Sequence, residues 1–320
     1  MHKTSPNRDG FVFGHFNPLT IIFTFRLFIF AFVDALKNRG GIVYIVCATN
    51  GLALIRDLVI SGIYLLLGRR INVHIRGTEL AETTGLLRAI IKKVYGRCYL
   101  IYVSKPLMNS HSFLNSNGNA SAIPNGCADY LDEACPPRKI DGSCLTLLFL
   151  SNFFVEKGIL IFLDVVREMI QRGYSVKAIM CGSYSEKFSQ FRLFDEINTR
   201  QISSAVCVLG PVDEVEKKRC INAAHFLIFP SLRESFGNVI IEAMSAKTYV
   251  ISSATTSVDF ILQSGTCGHI LRTFTAASCA DHICNLSPQA YKKTVENARE
   301  RFLTHFRIEQ HCQSLFTALR

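Results

Sequence analysis

Glu234 and Glu242 stand with seven residues between them in the stretch FPSLRESFGNVIIEAM, residues 229–244. An apolar run ends there in a polar, glycine-containing turn, and a second apolar run follows. A carboxylate accepts two hydroxyl hydrogen bonds at once, which suits a ribose or hexose diol. The first amides of a helix beginning near Gly237, at Asn238 and Val239, lack partners within the helix and attract an anion such as a phosphate. Carboxylates for sugar hydroxyls beside amides for a phosphate match the parts of a nucleotide sugar. Spacing alone carries little of this, because a charge favourable to a helix dipole plus one solvated face produces the same pair of glutamates.

These residues need elements to hold them. Residues 223–229 read as a buried strand, 230–236 as the loop at its carboxyl end, and the chain from Gly237 as a helix packing through Val239, Ile240, Ala243 and Met244. Open α/β sheets bind ligands at that strand end. A second loop of the same kind, FLSNFFVEKG over residues 149–158, leads into a helix over 158–171. Lys157 is then a cation at a strand's carboxyl end, placed to offset charge on a leaving diphosphate. A lone lysine at a helix start is equally a solvated residue, so its weight comes from its relation to the two glutamates.

Strand-like and helix-like runs alternate along the whole chain. Strands are expected over 11–13, 43–48, 71–75 and 99–103, with helices over 19–37, 54–67 and 82–95 between them. A second series follows, with strands over 145–150, 176–181, 205–209, 225–229 and 248–251, and a helical segment over 289–320. Such βαβ alternation predicts parallel sheets. The fold class is α/β, with two Rossmann-like domains facing a cleft: residues 1–137, then 138–320, joined through a linker at 131–141 that holds Pro136 and Pro137.

Composition narrows the partners. The chain has 320 residues, enough for about two domains of ordinary size, and 49% of them are hydrophobic. Its 35 Lys and Arg against 25 Asp and Glu leave a net charge of +10, which favours phosphate-bearing substrates or an anionic membrane surface. No zinc-finger spacing or RNA-binding aromatic signature is present, so nucleic acid is not expected as a partner. The twelve cysteines are dispersed, several in apolar runs and none in a C-x-x-C. They read as mostly buried thiols of a reducing, cytoplasmic compartment, and no metal site is expected. Residues 19–36 carry Arg26 and Asp34 and do not make a convincing membrane span. Ile21, Phe25, Phe28 and Phe32 share a helical face there, for which core packing is expected over a bilayer surface.

The order of strand, Pro-Ser, Glu, Phe-Gly-Asn, apolar run and Glu-Ala-Met resembles the donor-site signature of retaining glycosyltransferases of the GT-B fold, family 4. The resemblance runs over nearly all of residues 10–305 and is specific in the second half. It implies a hexosyltransferase that is cytoplasmic, either free or peripheral on the inner face of the cell membrane. It would move a sugar with retention from a nucleoside diphosphate sugar to a lipid-linked or polysaccharide acceptor, as in lipopolysaccharide synthesis, with no metal and no cofactor. The terminal helix crosses back to the first domain in such proteins. Carried over, Glu234 lies by the donor sugar, Glu242 binds the ribose, Lys157 meets the phosphates, and Phe236, Gly237, Asn238 and Asn152 belong to the donor site. His74, in His74-Ile75-Arg76-Gly77, resembles a His-containing loop that faces the transferred sugar, with His15 as its rival.

Three departures accompany the resemblance. Ser151 and Asn152 replace a Gly-Arg pair, Arg76 stands where related sequences have a second His, and residues 14–20, GHFNPLT, replace a glycine-rich loop. Residues 123–126, Ile-Pro-Asn-Gly, look like the family's turn before the linker, and an ordinary Asn-Gly turn explains them as well. Two other functions stay open on the residues: a sugar-nucleotide epimerase of the same architecture, and a non-catalytic, membrane-associated subunit that binds sugar nucleotides.

Overall fold

A computed structural model describes residues 18–38, 40–114, 118–135, 138–140, 144–186 and 188–320. The chain divides into two compact units, Met1–Ile123 with Leu315–Arg320, and Pro124–Ser314.

The first unit holds α1 (Pro18–Lys37), β1 (Val43–Cys47), α2 (Gly51–Leu66), β2 (Ile71–Ile75), α3 (Gly85–Tyr95), β3 (Tyr99–Tyr102), α4 (Lys105–Ser110) and β4 (Ala120–Ala122). Its strands pair in sequence order, β1-β2-β3-β4, all parallel. Val73, Ile75, Leu100, Ile101 and Tyr102 fill the core, as β-branched and aromatic side chains do on a covered sheet. The buried Asp57 of α2 ties the helix to the end of β1 by accepting the Ala48 amide at 2.8 Å. The strand expected over 11–13, His15 and residues 14–17 of the GHFNPLT stretch lie outside the described residues. From Pro18 onward that stretch belongs to α1, where a proline fits the first helical position.

Helix α1 corrects the core-packing expectation. Its buried positions are Ala31 and Ala35, whose small side chains let it lie against α2. Phe25 is 63% exposed and Phe32 50%, with Ile29 and Leu36 exposed on the same stripe. The side chain of Ile21 lies outside the described ones. Helix α2, which packs on α1, and α3, which packs on α2, add Leu52, Ile55, Leu66, Leu86 and Ile90 to the exposed apolar surface. No described helix is long and apolar enough to cross a membrane.

The second unit holds β5 (Leu145–Leu150), α5 (Ile159–Gln171), β6 (Val176–Cys181), α6 (Gln190–Thr199), β7 (Val206–Gly210), α7 (Glu214–Ala223) and β8 (Phe226–Phe229). It continues with α8 (Asn238–Ser245), β9 (Tyr249–Ser253), α9 (Val258–Ile261), β10 (His269–Leu271), α10 (Ala276–Asn285), α11 (Pro288–His305) and α12 (Ile308–Leu319), of which Leu315 onward belongs to the first unit. The strand order is β10-β9-β8-β5-β6-β7, all parallel. Strand order reverses between β5 and β8, which makes the carboxyl ends of these two strands the place where such a sheet opens to a ligand. Below them Phe149, Phe153, Phe162, Met180, Phe226 and Ile228 form one buried cluster.

The division between units falls after Ile123, not at the expected 137/138. Three contacts fix the intervening segment to the second unit. The Tyr130 amide donates to Ser245 Oγ at 3.0 Å, and Asn222 Nδ2 donates to the Tyr130 carbonyl at 2.7 Å. The Arg138 guanidinium donates to the carbonyls of Ile221, Asn222 and Ala224, each at 2.9 Å. A stretch that reads as a linker is thus bound down by the Asn222 side chain of α7, the Ser245 hydroxyl of α8 and the carbonyls at the end of α7. The cysteines are unpaired thiols, and six of the twelve are buried while Cys144, Cys207 and Cys312 are exposed.

Candidate functional site

After β5 the chain runs through Ser151 and Asn152, buries Phe153, and makes a single 3-10 turn over Val155–Lys157. Gly158 closes that turn in the left-handed region, φ 76°, where only glycine is unstrained. A Cβ on Gly158 would lie 2.3 Å from the Pro230 carbonyl oxygen. The loop after β5 therefore sits directly against the loop after β8, and the Leu232 amide donates to the Glu156 carbonyl at 3.0 Å. This approach delivers Lys157 Nζ to Glu234 Oε2 at 2.8 Å and to the Arg233 carbonyl at 3.4 Å. Both side chains keep some solvent exposure, 27% and 20%, so the pair remains reachable by a ligand.

The turn into α8 repeats the device. Gly237, φ 91°, is the residue before the first helical turn, and its neighbour Phe236 is buried against Phe306 with ring centroids 6.2 Å apart. Asn238 opens the helix, and its Oδ1 accepts from Asn125 Nδ2 at 2.8 Å. That bond leaves the backbone amides at the start of α8 to set the local potential, which is positive at a helix N-terminus.

Glu242, one turn further on, is 8% exposed. Its Oε1 accepts from Lys217 Nζ at 3.1 Å, and its Oε2 is buried with no hydrogen-bond partner among the described residues. Burial pushes the Glu242 carboxyl up from the usual range, and the Lys217 ammonium opposes the shift. Lys217 also donates to Glu214 Oε1 at 2.8 Å and stands 5.1 Å over the Tyr130 ring, while the Tyr130 hydroxyl donates to Glu214. Despite the cost of burying it, these carboxylates raise the Lys217 ammonium above its ordinary value.

The second unit thus brings Lys157 and Glu234 into contact and places Phe236, Gly237, Asn238 and Glu242 in succession along the loop and helix after β8. Asn152 is exposed at the end of β5, its Oδ1 accepting from the Ser183 amide at 3.4 Å. His74 belongs to the first unit. It is 2% exposed inside β2, between Val46 and Ile101 of the flanking strands, and its Nδ1 is paired with the Tyr44 hydroxyl. The strand covers Ile71–Ile75 as expected, so His74 lies within it and the loop begins at Arg76. Among the described residues no group of three or more His, Cys, Asp or Glu is placed to hold a metal ion.

Four participants escaped the sequence reading: Asn125, Tyr130, Glu214 and Lys217. The Asn125-Gly126 pair has the pattern of an ordinary turn, yet Gly126 is there because a Cβ would lie 2.6 Å from the Arg307 carbonyl oxygen. Glu214 and Lys217 have the i, i+3 spacing of a solvated helix pair, and no local signal relates them to Glu242, which lies across the packing of α7 on α8.

Residues 144–288 match the family described as glycosyl transferases group 1. The phosphatidyl-myo-inositol mannosyltransferase of Mycobacterium tuberculosis H37Rv is 28% identical over 203 residues, 61% of this chain and 50% of that protein. The phosphatidylinositol N-acetylglucosaminyltransferase gpi3 subunit of Schizosaccharomyces pombe is 26% identical over 128 residues, 40% of this chain and 27% of its own length. The chain spans about half the length, or less, of these relatives. Among solved structures, Anabaena Alr3699/HepE in complex with UDP superimposes with a TM-score of 0.73 at 17% identity, covering 93% of this chain and 82% of that one. The chain therefore has the α/β fold of GT-B glycosyltransferases, and its similarity to the glycosyl transferases group 1 family lies over residues 144–288.

Proposed function

We propose that the protein is a retaining glycosyltransferase that takes a hexose from a nucleoside diphosphate sugar and adds it to a lipid-linked or glycan acceptor. The observation that carries this reading is the Lys157–Glu234 pair at 2.8 Å, built across the point where strand order reverses and followed by the α8 amides and the buried Glu242. In this reading the ribose binds Glu242, the diphosphate lies on the amides after Gly237 and on Lys157, and Glu234 lies by the sugar. The glycosidic bond to a diphosphate is weak, so groups that stabilise the departing charge supply much of the rate. An oxocarbenium-like sugar is then caught by the acceptor on the face the diphosphate leaves. No metal is needed where a lysine and a helix N-terminus neutralise the phosphates. The relation to HepE, solved with UDP, and to two enzymes named for phosphatidylinositol acceptors supports a nucleotide donor and a lipid-linked acceptor.

A panel of nucleoside diphosphate sugars tests this by thermal unfolding. A donor present at about 100 times its Kd stabilises the native state by about 2.7 kcal/mol, and one member of the panel should raise the midpoint accordingly. Glu242→Ala should raise that donor's Kd about 10- to 150-fold, through loss of a buried acceptor worth about 1.5–3 kcal/mol. A panel in which no compound shifts the midpoint at millimolar concentration sinks the reading.

The acceptor side includes a membrane surface at its cytoplasmic face. Exposed Phe25, Ile29, Phe32 and Leu36 on α1, and Leu86 and Ile90 on α3, are accompanied by exposed Arg26, Lys92 and Lys93, the composition of an interfacial surface. Cosedimentation should require vesicles with anionic headgroups and weaken as salt screens over about 10 Å at 0.1 M. A fraction should survive high salt and disappear in Phe25→Glu/Phe32→Glu. Absence from acidic vesicles at low salt removes the membrane claim and favours a soluble acceptor.

A further inference from the structure

A carboxylate as enclosed as Glu242 takes up a proton unless something pays its desolvation. The groups facing it are Lys217 and Glu214 from α7, and Cys127 and Tyr130 from the segment ahead of β5. Asp129, beyond them, is engaged by Arg299 at 2.6 and 2.7 Å. Lys217 is the cation that touches the Glu242 carboxylate, at 3.1 Å. Its ammonium is itself held in place, with Glu214 Oε1 at 2.8 Å and the Tyr130 ring 5.1 Å away. Binding one oxygen of Glu242 fixes the rotation of the carboxylate and leaves Oε2, buried and unpartnered among the described residues, as its open acceptor.

We propose that Lys217 is a positioning residue for donor binding, keeping Glu242 ionised at neutral pH and presenting its Oε2 to a ribose hydroxyl. The proposal rests on the donor-site reading above. Lys217 acts through Glu242, in a cluster set by α7 and α8 together. Glu214 and Tyr130 complete the device by holding the ammonium on the carboxylate: Glu214 balances its charge, and the Tyr130 hydroxyl anchors Glu214 in turn.

The test uses UDP, GDP and 2′,3′-dideoxy-UDP as probes, titrated by calorimetry at a series of pH values from about 6 to 8.5. The ratio of wild-type affinity for UDP to that for dideoxy-UDP should be nearly flat over that range, since titration of the terminal phosphate is common to both probes. Lys217→Met should weaken ribose-bearing probes by about 10-fold or more near pH 6 and recover as pH rises and Glu242 ionises. Lys217→Arg should restore the flat profile, and the dideoxy probe should ignore the substitution. A carboxyl 13C titration should independently show Glu242 protonating at higher pH in Lys217→Met, in protein whose unfolding transition stays cooperative. An equal loss at every pH, shared by the dideoxy probe, or an unmoved Glu242 titration, overturns the proposal alone. Wild-type protein that binds none of the probes overturns it together with the donor-site reading.

Discussion

Lys157→Ala should lower turnover about 100- to 1,000-fold, the usual cost of removing one group that stabilises charge developing in a transition state. Lys157→Arg should retain most of the rate. The argument depends on the state of the pair before substrate arrives. Lys157 and Glu234 meet at 2.8 Å but stay partly exposed, at 27% and 20%, and an ion pair of that kind contributes only about 0–1 kcal/mol to stability. Lys157→Ala should therefore leave the unfolding midpoint almost unmoved while the chemical step collapses. Single-turnover rates measured with a saturating donor separate the two quantities. Unchanged rates in both variants would mean that Lys157 is a solvated residue held by Glu234, with no part in the reaction.

A large effect on stability should come from Gly158→Ala. A residue with a side chain at φ 76° costs about 1–2 kcal/mol, and the new methyl would stand 2.3 Å from the Pro230 carbonyl oxygen. Either the turn after β5 or the loop after β8 must move, so a total loss of about 3 kcal/mol or more is expected, lowering the midpoint by about 6–12 °C for a unit of this size. Gly173→Ala is the control. Gly173 has φ 85°, yet nothing lies within 4 Å of its added methyl, and its cost should stay near the backbone term. Equal losses in the two variants would show that the two loops do not press on each other. Donor binding should weaken with Gly158→Ala as well, because the same displacement separates Lys157 from Glu234.

The strands of the second unit were legible because they are continuous apolar runs, as in a parallel sheet covered on both faces; Leu145–Leu150, Val176–Cys181 and Phe226–Phe229 were found within a residue or two. Ala120–Ala122 and His269–Leu271 were missed. Three small residues, or a short edge strand led by histidine, have no periodicity to detect, and their pairing is decided by the neighbouring strand. The glutamates and Lys157 could be named because each lies within a local strand-turn-helix pattern. Lys217 and Asn125 could not, since their partners are 25 and 113 residues away. The exposure of Phe25 and Phe32 was misjudged for a related reason: helical spacing identifies an apolar face, while Ala31 and Ala35, not the larger residues, determined which face packs on α2.

The strand order of the second unit also leads us to expect an order of events in folding. Strands β5, β6 and β7 pair with near neighbours in the chain and form a three-stranded half-sheet from residues 145–210. The other edge of β5 then waits for β8, joined to it at Leu147↔Phe226 and Leu148↔Leu227, so that closing the sheet needs a contact across about 80 residues, the slow kind of step in parallel topologies. Lys157 follows the first of these strands and Glu234 follows the second. Their ion pair thus forms only when the two half-sheets have joined, and a fluorescent or exchange probe at this pair would report completion of the sheet during refolding, with the unsatisfied edge of β5 as the surface through which an incomplete chain associates with another copy.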